Sequence, residues 1–191
     1  MKNKPNLYII PGWGEKVIDP NYKRIIDFAS KKYDFIPLKV STRNRKYALG
    51  GDKSIFDILD KIEKQIIQPS EKDVLLGFSV GALQAYLLSK KLKFSKLLLC
   101  SMSPILGKDI LSYTKEGIKY LSKEQYNELK GIDYMKIKTE NVVLFYGDKE
   151  NNNLKNRSIS LGKRKGYESV EIKGVGHDLG ELYFKKLKNF L

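Results

Sequence analysis

Short apolar runs alternate with stretches of helical spacing along the whole chain. Leu7 to Ile10 is an apolar run stopped by Pro11-Gly12. Tyr22, Ile25, Ile26 and Ala29 recur at helical intervals, so residues 22–32 read as a helix. Phe35 to Val40 reads as a strand. Ile55, Ile58, Leu59, Ile62 and Ile66 mark an amphipathic helix, started by Asp52 or by Ser54 with Asp57 three residues on. Val74 to Leu76 predicts a strand and residues 81–92 a helix. Leu97 to Cys100, Val142 to Tyr146 and Ser169 to Lys173 read as three further strands. Leu182, Tyr183, Leu187 and Phe190 close the chain as a helix.

This alternation predicts an α/β protein: a mainly parallel sheet of about six strands with helices on both faces. Four runs are continuously apolar, as strands buried on both faces should be. The other two differ. Pro37 suits an edge strand, and Val170-Glu171-Ile172-Lys173 alternates like a half-exposed edge. Between Pro104 and Asn141 there is more chain than one crossover helix needs. Ile110, Leu111, Tyr113, Ile118 and Leu121 suggest one helix there. Ser122 with Gln125 looks like the capping box of a second, ending at Gly131. The expectation is a single domain over residues 1–191, with a small helical, cap-like insertion at about 104–140. Asn151-Asn152-Asn153 reads as a short polar loop.

Composition narrows the class. With 41% hydrophobic and 11% aromatic residues the chain is globular rather than disordered. No apolar run is long enough to cross a bilayer, and residues 1–5 lack a secretory signal pattern. Cys100 is the one cysteine, so no internal disulfide forms, and a cytoplasmic location is expected. The net charge of +14 comes from dispersed lysines without a block of like charge. That pattern argues against a nucleic-acid binder, but a basic rim would attract an anionic substrate or acidic partner.

The candidate chemistry centres on Gly77-Phe78-Ser79-Val80-Gly81, a G-x-S-x-G motif between an apolar strand and a helix. A serine on so sharp a turn is held at positive φ, and glycines two residues before and after avoid collisions across it. Its hydroxyl is then exposed, and the Val80 N–H lies at a helix N-terminus, where negative charge is stabilised. His177, the only histidine, follows the last strand in Gly174-Val175-Gly176-His177-Asp178. Asp148 follows strand Val142–Tyr146 in the turn Gly147-Asp148-Lys149. The order Ser79, Asp148, His177 is that of a nucleophile, acid and base on this kind of sheet. The other acid position, after Leu97–Cys100, offers no carboxylate before Asp109, and Asp178 reads as a helix cap. Pro11-Gly12-Trp13-Gly14 follows the first strand, where the second oxyanion donor is expected, from the N–H of Trp13.

On these residues the chain resembles the α/β-hydrolase superfamily, over nearly its whole length. Pro11-Gly12-Trp13-Gly14 is similar to that family's His-Gly-x-Gly oxyanion loop, with proline in place of histidine. The resemblance implies a serine hydrolase that cleaves an ester or thioester through an acyl-enzyme. Ser79, Asp148 and His177 would be catalytic, Trp13 and Val80 the oxyanion hole, and Gly12, Trp13 and Phe78 substrate-binding. No cofactor or metal is implied. The chain begins at what would be the family's third strand, which would leave Phe35–Val40 at the sheet edge. The Gly-Trp-Gly loop is similar to that of carboxylesterases acting on acyl-carrier esters, which makes an acyl group on an acidic partner a candidate substrate. Arg43, Arg45 and Lys46, in a loop after a strand end, could guide it.

Three other readings compete. An acyltransferase would share the same acyl-enzyme. A non-catalytic binder could use the same scaffold. A nucleotide-binding α/β protein would use Gly12-x-Gly14, but Val17 stands where the third glycine belongs, and Ser79 and His177 would go unexplained.

Overall fold

A computed structural model describes residues 4–38, 40, 54–66, 69–107, 109–112, 121–132 and 136–191. Six strands form one all-parallel sheet: β1 (Asn6–Ile10), β2 (Asp34–Pro37), β3 (Val74–Phe78), β4 (Lys96–Cys100), β5 (Val142–Gly147) and β6 (Glu168–Ile172). Their order is β2-β1-β3-β4-β5-β6. The helices are α1 (Pro20–Ala29), α2 (Ile55–Glu63), α3 (Val80–Leu88), α4 (Asp109–Ser112), α5 (Lys123–Gly131), α6 (Asn152–Lys165) and α7 (Glu181–Leu187).

Alternation along the central strands explains why both faces are covered. Tyr8, Ile10, Leu75, Leu97, Leu99 and Leu144 point into a core shared with α2, α3, α5 and α6. Leu7, Ile9, Leu76, Leu98, Cys100 and Phe145 point into a second core with α1 and α7. Period-two side-chain direction thus makes an all-apolar strand feed two cores. The edges are β2 and β6, as Pro37 and the half-exposed β6 predicted. Pro37 sits in register with Ile9 at the rim, where its missing N–H costs no ladder bond on the outer side.

Local signals set several helix ends. Ser54 caps α2 by accepting the Phe56 N–H, and Ser122 with Gln125 forms the expected capping box of α5. In the 104–140 segment, α4 is described over Asp109–Ser112, and residues 108, 113–120 and 133–135 lie outside the described residues. The main departure is α6. Residues 151–153 read as a loop, yet Asn151 accepts the Leu154 N–H and starts a 14-residue helix. Its buried stripe is Leu154, Arg157, Ser158 and Leu161, two of them polar, so hydrophobic spacing hides it. Buried Arg157 is tied through Nε to Asp109 Oδ2 of α4 at 2.7 Å.

Among the described residues no helix is long and apolar enough to cross a membrane, and no cluster of potential metal ligands occurs.

Candidate active site

Ser79 sits between β3 and α3 at φ 55° and ψ −118°. Two glycines make that turn possible, each against a different neighbour. A Cβ on Gly77 would lie 2.4 Å from the Gly81 carbonyl oxygen, across the turn as expected. A Cβ on Gly81 would lie 2.2 Å from the Ile10 carbonyl oxygen, so this glycine brings the elbow onto the loop after β1. The Ser79 N–H is held by the Cys100 carbonyl at 2.8 Å. Val80 opens α3, so its N–H has no acceptor within the helix.

His177 Nε2 lies 2.9 Å from Ser79 Oγ. The imidazole is supported by the Phe78 ring, with centroids 5.1 Å apart. Phe78 was expected to line the substrate; at 2% exposure it meets the site through the imidazole it carries.

The carboxylate within ion-pair distance of the imidazole is Glu150 rather than the expected Asp148. Asp148 faces the backbone of the histidine loop: Oδ1 accepts the Gly174 N–H at 2.7 Å and the Val175 N–H at 3.3 Å. It makes no ion pair with His177. Glu150 does: Oε1 lies 3.7 Å from His177 Nδ1, and the Glu150 side chain is fully buried. The turn geometry explains the exchange. The Glu150 N–H returns to the Gly147 carbonyl at 3.2 Å, which closes a turn that sends residues 148 and 150 in different directions. A Cβ on Gly147 would lie 2.2 Å from the Val175 carbonyl oxygen, so this turn and the histidine loop touch backbone to backbone. The sequence signal was present: Glu150 is the other carboxylate in Gly147-Asp148-Lys149-Glu150. Asp178 does not cap α7 through its side chain, since the N-cap is Gly180 without a side-chain bond.

The loop after β1 contains a second residue the sequence reading missed. Glu15 Oε2 accepts the Gly12 N–H at 3.0 Å and the Tyr22 hydroxyl at 2.5 Å. The Tyr22 hydroxyl also takes the Gly12 N–H at 3.0 Å. Burial, then the Glu15 charge, holds the Tyr22 phenol well above its ordinary range, so it stays a donor. The Gly12 N–H is therefore committed to shaping the loop. Trp13 follows at the turn and is 38% exposed, at the open side of the loop. Arg43, Arg45 and Lys46 lie outside the described residues.

No protein-family model matches the chain, and no curated protein matches it in sequence. Solved structures do match in fold. The esterase Est1E from Butyrivibrio proteoclasticus, with ferulic acid bound, has a TM-score of 0.78 at 16% identity, covering 98% of this chain and 88% of its own. ClbQ from the colibactin NRPS/PKS pathway has a TM-score of 0.62 at 13% identity, covering 98% and 95%. The type II thioesterase BorB from the borrelidin biosynthetic cluster has a TM-score of 0.61 at 13% identity, covering 100% and 90%. With its parallel sheet order, its serine elbow and these neighbours, the chain has the fold of the α/β-hydrolase superfamily.

Proposed function

We propose that this chain is a serine hydrolase that cleaves a carboxylic ester or thioester through an acyl-enzyme. Ser79 is the nucleophile, His177 the general base and Glu150 the acid that orients the imidazole. The carrying observation is the 2.9 Å contact from His177 Nε2 to a serine on a positive-φ elbow. In the first step His177 takes the Ser79 proton as Oγ attacks the acyl carbon. The oxyanion meets the N–H of Val80 and, from the loop after β1, that of Trp13. His177 then protonates the leaving oxygen or sulfur, and water repeats the sequence in reverse. Glu150, buried 3.7 Å from His177 Nδ1, stabilises the imidazolium formed in both steps. The esterase and thioesterase neighbours support this substrate class. A fluorophosphonate probe tests the reading: it should add one label per chain, at Ser79, and lose it in Ser79→Ala. Labelling elsewhere, or none with the protein folded, would reject it.

An acidic carrier for the acyl group is the finer proposal, and charge placement limits where its binding can originate. Lys31 and Lys32 precede β2, Lys72 precedes β3, Lys93 precedes β4, and Lys136 and Lys138 precede β5. In a parallel sheet these junctions lie at the N-terminal strand ends, while Ser79 lies at the C-terminal end. A five-residue strand spans about 16 Å, roughly two Debye lengths at physiological salt. Those lysines therefore add little to the potential at Ser79. Carrier recognition rests instead on basic residues that follow strand C-terminal ends in the sequence: Lys16, Lys149 and Lys173, and Arg43, Arg45 and Lys46 after β2. The expected result is a kcat/KM for an anionic thioester that falls with salt more steeply than that for a neutral ester of equal chain length. Arg43→Glu with Arg45→Glu should remove the difference. Equal salt responses in the unmodified protein would dismiss the carrier.

A further inference from the structure

Behind Glu150 lies a buried chain of hydroxyl groups that the triad reading leaves unused. Ser101 follows β4 at φ 49°, one of two non-glycine residues with positive φ among the described residues; the other is Ser79. Its N–H is held by the Phe145 carbonyl at 2.8 Å, and its side chain is fully buried. Its Oγ hydrogen-bonds to Glu150 Oε1 and stands 3.2 Å from the Tyr183 hydroxyl. Tyr183, fully buried on α7, also meets the Cys100 thiol. We propose that Ser101 is a positioning residue for catalysis, and that Tyr183 and Ser101 form a one-way chain of donors that holds the Glu150 carboxylate aimed at His177.

The direction of the chain follows from counting protons. An ionised carboxylate only accepts, so the Ser101 hydroxyl must spend its single proton on Glu150. The Tyr183 hydroxyl must then donate to Ser101 Oγ, because that oxygen has no second proton. Burial above all pushes both the Tyr183 phenol and the Cys100 thiol upward, against the lowering hydrogen bond that each makes, so both keep their protons. The groups facing Glu150 are therefore Cys100 and Ser101 from β4, Tyr183 from α7 and His177 from its loop. No lysine or arginine forms an ion pair with it among the described residues. Its Oε2 is buried without a hydrogen-bond partner. A buried carboxylate so placed depends on the few donors that reach it to offset its loss of water. The positive φ of Ser101 has a use here, because it turns the hydroxyl back over the strand end toward Glu150.

The inference rests on the proposed triad, and its test separates the two. The unmodified protein and Ser79→Ala establish whether the triad reading holds. In that background, Ser101→Gly removes the hydroxyl while suiting the positive φ, and Ser101→Ala removes it while keeping the strain. Both should lower kcat by the same roughly 10- to 100-fold, the value of a hydrogen bond to a charged group, with KM within about twofold. The acid limb of the kcat/KM profile should shift by the same amount in both variants, because both alter the carboxylate that faces His177. Their melting temperatures should differ, with glycine the more stable. Tyr183→Phe keeps the ring packing and should move rate and pH limb the same way by a smaller factor, even if the Ser101 variants fail to fold. An unmoved acid limb in every folded variant, or a loss confined to KM, would overturn the proposal.

Discussion

Replacing Ser79 with alanine should abolish ester hydrolysis, with turnover lower by about a million-fold, the usual cost of losing a triad nucleophile. The fold should persist. Ser79 is only 9% exposed, but among the described residues its side chain bonds to His177 Nε2 alone, and His177 is partly open to water. The elbow itself is built by Gly77, Gly81 and backbone bonds, none of which uses the hydroxyl. A sharper form of the experiment uses glycine. At φ 55° and ψ −118° any side chain is strained. Ser79→Gly should therefore be as inactive as Ser79→Ala yet more stable, by about 1 kcal/mol after glycine's own entropic cost. In a domain of this size that corresponds to a rise in Tm of about 2–4 °C. Activity and thermal unfolding on the three proteins check both parts. A Ser79→Ala protein that kept most of its turnover would end the serine hydrolase reading. A Ser79→Gly protein less stable than Ser79→Ala would show that the elbow is not strained.

The elements that show in the sequence are those whose buried positions are apolar. The central strands are read from uninterrupted runs such as Leu97-Leu98-Leu99-Cys100, because both of their faces are covered. The two edges announce themselves through Pro37 and the alternation of β6. Helix α6 does not show, because Arg157 and Ser158 occupy core-facing positions where a periodicity reading looks for leucine. For Arg157 the compensating contact comes from a segment distant in sequence, the ion pair to Asp109 of α4. The site divides in the same way. Ser79 and His177 are legible because glycines must flank a tight turn and because the chain has one histidine. Glu15, Ser101 and Tyr183 are not, since each acts through contacts between segments distant in sequence or through a loop closed on itself. Asp148 attracted the acid role because it stands first after the strand. The fold uses that position to grip the histidine loop, and only the turn closed by the Glu150 N–H decides which carboxylate turns inward.

That distinction gives opposite outcomes for two neighbouring amide substitutions. Glu150→Gln keeps the shape of the side chain and removes its charge. The imidazolium loses its counter-charge, and an amide can present a donor to Nδ1 in place of an acceptor. In a serine triad this kind of change costs on the order of ten-thousand-fold in kcat. Stability should not fall with it, because a buried carboxylate without a cation is itself unfavourable, and Ser101 can still donate to the amide oxygen. Asp148→Asn should behave the other way. The amide oxygen still accepts the N–H groups of Gly174 and Val175, and only the charge assistance to those bonds is lost. The expected result is less than a tenfold change in kcat, with a modest drop in Tm. Asp148→Ala removes both bonds and should destabilise by about 1.5–3 kcal/mol, the range for hydrogen bonds to a charged group. Its activity should recover at lower temperature, where the histidine loop stays folded. Steady-state kinetics across temperature, with Tm for each protein, separates the two roles. Were Asp148→Asn the variant to lose four orders of magnitude while Glu150→Gln stayed active, the acid would be Asp148, and the 3.7 Å approach of Glu150 to His177 would be incidental to catalysis.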